Sequence, residues 1–144
     1  MNRVILVAVN DSRAAFNAAT VAVDYARTLG ATLRVVSVVN PPAPARYPGV
    51  ADPSEMARSH ELAAQASLRH VAALAAAAGV EVTSSLRHGQ VAAEILAEAR
   101  LIGATLIVMA LVDRPGHTTP YIGGHTLRVL EFSSVPVLVV PLAP

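Results

Sequence analysis

The chain contains no cysteine, no tryptophan and no lysine. Without cysteine there is no disulfide framework, no thiolate nucleophile and no Cys-based metal site. All eleven basic side chains are arginines, so neither a Schiff-base amine nor an ammonium ligand for phosphate is present. Aromatic residues make up 3% of the sequence and charged residues 15%, and the formal charge of +1 is spread without any basic run. That removes the electrostatic footprint expected of a protein that binds nucleic acid or an anionic membrane. The N-terminal apolar run, Val4 to Val9, is six residues long, too short for a membrane span or for the core of a secretion signal. The expectation is a cytoplasmic protein with no membrane association.

Small and branched apolar residues dominate what is left. At 53% hydrophobic, drawn mainly from Ala, Val and Leu, the composition suits helices packed closely on a sheet covered on both faces. A length of 144 residues makes one domain of ordinary size, able to bury a core without staples.

Along the chain, apolar runs alternate with helix-period segments. Val4 to Val9 reads as a buried strand, stopped by Asn10-Asp11-Ser12, of which Ser12 is the natural N-cap of a helix running through Ala15, Ala18, Ala19, Ala22 and Ala26 to a C-cap at Gly30. Thr32 to Val39 is a second strand. Residues 40 to 53 hold five prolines and a glycine, an irregular loop longer than most. A long helix is predicted from Ser54 to Ala78, ended by Gly79, and a more polar strand from Val80 to Leu86, whose polarity suits a sheet edge. His88-Gly89-Gln90 turns into a helix carrying Val91, Ile95, Ala99 and Ile102. Thr105 to Met109 is the fourth strand, Gly124 to Phe132 the fourth helix and Val135 to Val140 the fifth strand. Five strands alternating with four helices predict a single doubly wound α/β domain over residues 1 to 144. In such a sheet the loop after a strand and the start of the next helix form the usual ligand crevice, which points to the segment from Thr105 to Pro141.

No catalytic constellation is legible. Histidine and carboxylate spacings match no His-x-x-x-His or Glu-x-x-His pattern, His60 and His70 lying ten apart. Ser12 stands in no G-x-S-x-G context. Neither a metal site nor an enzyme is expected.

The opening V-A-V-N-D-S with Ala18 beyond it, the L-R-V-V-S-V-V of the second strand, His88-Gly89, and the stretch from Gly123 to Val140 ending V-P-V-L-V-V together resemble the universal stress protein family of the UspA type. The resemblance covers essentially the whole chain, with the last segment its most specific part. It implies a five-stranded parallel sheet of order 3-2-1-4-5. It also implies a crevice between strands 1 and 4, at Ala8, Asn10, Val38, Met109, Ala110, Asp113, Gly123, Gly124 and His125, where family members bind ATP or AMP. A homodimer through the C-terminal strand, Val137 to Val140, is implied as well.

This sequence departs from the family's nucleotide loop, G-x-x-G-x9-G-[ST]. Its glycines fall on Ala110, Asp113 and Gly123 and its hydroxyl residue on Gly124, while the Asp that ends the first strand falls on Asn10. Only Gly123 and the adenine-facing Val38 match. A carboxylate about 5 Å from a phosphate charge, at an effective dielectric near 20, costs roughly 3 kcal/mol, about two decades in affinity. The missing hydroxyl removes a hydrogen bond worth about 1 kcal/mol. Arg114, His117 and His125 bring positive charge to the region but read more simply as solvated loop residues, and Thr118 and Thr119 as turn residues. The expectation is therefore a non-catalytic stress-response or regulatory protein with a degenerate ATP loop, acting by dimerising or docking on partners. An adenine-nucleotide sensor is the alternative, and a weak ATP hydrolase ranks third.

Overall fold

A computed structural model describes residues 2–40, 53–111 and 123–142. Nine elements follow in order: β1 (Val4–Ala8), α1 (Arg13–Leu29), β2 (Thr32–Val39), α2 (Pro53–Ala77), β3 (Val82–His88), α3 (Val91–Ile102), β4 (Leu106–Ala110), α4 (Gly124–Phe132) and β5 (Val137–Val140). The strands form one parallel sheet of order β3-β2-β1-β4-β5, as the resemblance implies. The polar β3 does lie on an edge.

Each face of the sheet has its own core. Ile5, Val7, Leu33 and Val35 pack with α1 and α2 on one side, and Leu6, Val36, Ile107 and Met109 with α3 and α4 on the other. The period of two along each strand is what divides them. Alanines at 15, 18, 19, 22 and 26 are almost wholly buried, and their small side chains let α1 lie close on the sheet. Ser12 Oγ accepts the Ala15 N–H at 3.1 Å, and Gly30, at φ 65°, ends the helix.

Two strand boundaries differ from the sequence reading. The third strand runs Val82–His88 instead of Val80 to Leu86. Val80 belongs to the end of α2: its N–H bonds to Ala75 O at 2.9 Å while Gly79, at φ 76°, bonds to Ala76 O, the six-to-one arrangement that closes a helix. The fifth strand begins at Val137 instead of Val135, because Ser133 Oγ bonds both the N–H and the carbonyl of Val135 and holds it in a turn. Remaining ends agree within one residue.

β3 is polar for a second reason besides its edge position. Glu98 of α3 is 1% exposed, and its carboxylate takes Arg87 Nη1 at 2.6 Å, Ser85 Oγ at 3.2 Å and Arg34 Nε at 3.3 Å. Arg87 Nε reaches Glu94 at 3.0 Å, one helical turn earlier. These hydrogen bonds, to Glu98 first and then to Glu94, raise the Arg87 guanidinium above its ordinary pKa. The network fastens α3 to the β2–β3 side of the sheet.

Candidate functional site

From β1 the chain leaves for the α1 face of the sheet, and from β4, its neighbour, for the opposite face. The carboxyl ends of β1 and β4 therefore splay their connections apart and leave a crevice at the switch point. A cavity of about 530 Å³ opens there. Its apolar wall includes Val36 and Val38 from β2, Met109 from β4, and Val91 and Ile95 from α3. Val36 and Val38 share a sheet face because they are two apart, and Val91 and Ile95 share a helix face because they are four apart.

The polar rim comes from two turns. After β1, Asn10, Ser12 and Arg13 line the cavity; after β4, His125 and Thr126 in the first turn of α4 do so. Ser12 donates its hydroxyl proton to Asn10 Oδ1 while accepting the Ala15 N–H, so the Asn10 carboxamide keeps both Nδ2 hydrogens and one oxygen lone pair to offer. Thr126 is buried and donates to Ala110 O at 3.4 Å, tying α4 to the end of β4. Gly123 caps α4 without a side-chain hydrogen bond. The chain beyond β5 also contributes: Asn17 Nδ2 donates to Pro141 O at 2.9 Å, and Leu142 joins the cavity wall.

Of the nine crevice residues expected from the sequence, Ala8, Asn10, Val38, Met109, Ala110 and His125 line this cavity. Gly123 and Gly124 lie beside it at the start of α4, and a Cβ on Gly124 would meet nothing within 4 Å. Asp113 lies outside the described residues, as do Arg114, His117, Thr118, Thr119 and the proline-rich residues 41–52. Sequence reasoning missed, among others, Arg13, Val36, Val91, Ile95, Thr126 and Leu142 as lining residues. For Arg13 a signal existed, since a residue directly after an N-cap at the end of a strand stands at the mouth of the crevice. Among the described residues no cluster of three His, Asp or Glu could hold a metal, and no helix is long and apolar enough to cross a membrane.

The model of the universal stress protein family matches residues 1–141. No curated protein matches the chain. Among solved structures it is similar to a universal stress protein family member from Burkholderia pseudomallei, at 29% identity and TM-score 0.77, covering 96% of this chain and 95% of that one. The universal stress protein UspA from Lactobacillus plantarum is similar at 25% identity and TM-score 0.81, covering 96% and 97%. A universal stress protein from Archaeoglobus fulgidus in complex with dAMP shares the fold at 17% identity and TM-score 0.70, covering 97% and 98%.

Proposed function

The chain belongs to the universal stress protein family, and from that premise we propose that it is a non-catalytic regulatory protein that senses an adenine nucleotide in the crevice between β1 and β4 without holding ATP tightly. The cavity carries this reading. Its volume, about 530 Å³, falls in the range of roughly 300–1,000 Å³ typical of small-molecule sites. An apolar wall with a few polar groups at one rim suits a flat base attached to a hydroxylated, charged tail. The dAMP held by the Archaeoglobus fulgidus protein of the same fold is a ligand of that class. Nucleotide sensing thereby moves above docking on partners alone.

ATP is disfavoured on the phosphate side. In the sequence, Ala110 and Asp113 fall where the family loop has glycines, and a carboxylate in such a loop repels phosphate. Among the described residues, the rim does not supply the set of cations that phosphoryl transfer requires, and hydrolysis is not part of the proposal.

Dimerisation through β5 belongs to the same reading. β5 is the outer strand beside β4, and next to it α4 exposes Leu127 and Leu130. Pairing with a second copy would cover both the strand edge and these side chains.

The test is calorimetric titration of the purified, nucleotide-stripped protein with ATP, AMP and adenosine, alongside Asp113→Gly. The expected result is binding of AMP or adenosine by the wild type, weak or absent ATP binding, and a gain in ATP affinity of one to two decades in the variant. Wild-type protein silent to all three ligands would refute nucleotide sensing and return partner docking to first place. Micromolar ATP binding by the wild type would refute the loop argument.

A further inference from the structure

The described wall of the cavity is one-sided in charge. Arg13 and His125 are its ionisable side chains, and no carboxylate lines it. Arg13 forms no ion pair with any described carboxylate. Close by in the chain, Asn10 Oδ1 accepts the Ser12 hydroxyl, and Ser12 Oγ in turn takes the Ala15 N–H. The α1 end of the cavity therefore offers a guanidinium and a carboxamide NH2 as donors, beside two acceptors, Asn10 Oδ1 and Ser12 Oγ, that each already hold one hydrogen bond, and no described carboxylate. An oxyanion, which accepts at every oxygen, can take both of those donors.

We infer that Arg13 reads the anionic group of the ligand, with Asn10 Nδ2 as second donor, and that the ligand is a nucleoside carrying a single phosphate. This rests on the nucleotide reading above and assigns its charged end to α1 instead of α4. Among the described residues, the α4 end sets a single imidazole, His125, against the guanidinium of the α1 end. One guanidinium forks onto one phosphate through two parallel N–H···O bonds, which leaves the further phosphates of a triphosphate only the His125 imidazole among the described side chains of the cavity. Leu142, set in the same wall by the Asn17 to Pro141 hydrogen bond, adds only apolar surface for them to meet.

The experiment is calorimetric titration of the whole chain with AMP and with adenosine, for wild type, Arg13→Gln and His125→Gln. Arg13 and His125 are exposed, and a thermal melt of each variant verifies that it is folded. Wild type should bind AMP about tenfold or more tightly than adenosine, the yield of charge-assisted bonds to one phosphate. Arg13→Gln should abolish that ratio while leaving the adenosine dissociation constant within about twofold, and His125→Gln should preserve it. A ratio unmoved by Arg13→Gln, or lost in His125→Gln instead, overturns the assignment to Arg13 while leaving the nucleotide reading standing. Failure of wild type to bind either ligand sinks both.

Discussion

Replacing Glu98 with glutamine removes one charge and almost no volume, and it should cost more stability than most single substitutions. The carboxylate is 1% exposed and accepts from Arg87 at 2.6 Å, Ser85 at 3.2 Å and Arg34 at 3.3 Å. Breaking one partner of a fully buried ion pair costs roughly 3–5 kcal/mol, because the remaining charge is stranded. Here the two arginine side chains keep 24% and 26% of their surface in water, so they are only partly stranded and the lower end applies. The expected loss for Glu98→Gln is about 2–3 kcal/mol, read as a lower urea midpoint with an unchanged slope, and as a fall of about 6–12 °C in Tm for a domain of this size. Two of the three donors come from β3, the edge strand, so amide hydrogen exchange should accelerate in β3 before β1 and β4. A change below about 0.5 kcal/mol would refute the reasoning, since it falls within the range of about 0.2–1 kcal/mol of exposed surface pairs.

Three further outcomes follow from named contacts. Gly89 sits at φ 140°, and an added Cβ would lie 3.2 Å from Glu94 Cγ; Gly89→Ala should destabilise by about 1–3 kcal/mol in chemical denaturation, and a neutral result would mean that the turn relaxes freely. Ser12→Ala removes the acceptor for the Ala15 N–H and should cost about 1 kcal/mol, seen as a few degrees in Tm. Val139 on the outer strand β5 is half-buried and belongs to neither core cluster; under the dimer reading, light scattering at micromolar concentration should give a dimer for wild type and a monomer for Val139→Lys. A monomeric wild type would end that reading.

The alternation of elements was legible because periods of two and of 3.6 residues are local properties of the chain. Strand ends were less so. Val80 is as apolar as a strand residue, yet its N–H is committed to closing α2 on Ala75, and Val135 is committed to Ser133. Those bonds depend on where a helix stops or a turn forms, which composition does not reveal. The Glu98 network was illegible for a stronger reason. Arg34, Ser85, Arg87 and Glu98 lie on three elements, and only the register that pairs Arg34 with Thr83 and Val38 with Arg87 brings them together. In the crevice, Asn10 and Val38 could be placed by the family resemblance, which aligns them with its Asp after the first strand and its valine near the end of the second. Leu142 could not, since its path depends on a hydrogen bond between Asn17 and Pro141, 124 residues apart.

The walls and the rim of the cavity are held by different forces. Val36 is fully buried within β2, Met109 and Ile95 nearly so in β4 and α3, and α3 is fastened on its other flank by Glu98 and Arg87. Reshaping that wall means disturbing the core, at the several kcal/mol that core substitutions cost. The rim is made of turns, where Asn10, Arg13 and His125 sit on exposed first turns and where exchanging a side chain costs little in stability. Such a site can change its rim while keeping its apolar slot. Under the proposed nucleotide reading, Asn10 and Arg13 then bear on the charge of what the slot accepts, and Val36, Val38, Ile95 and Met109 on whether a flat ring fits at all.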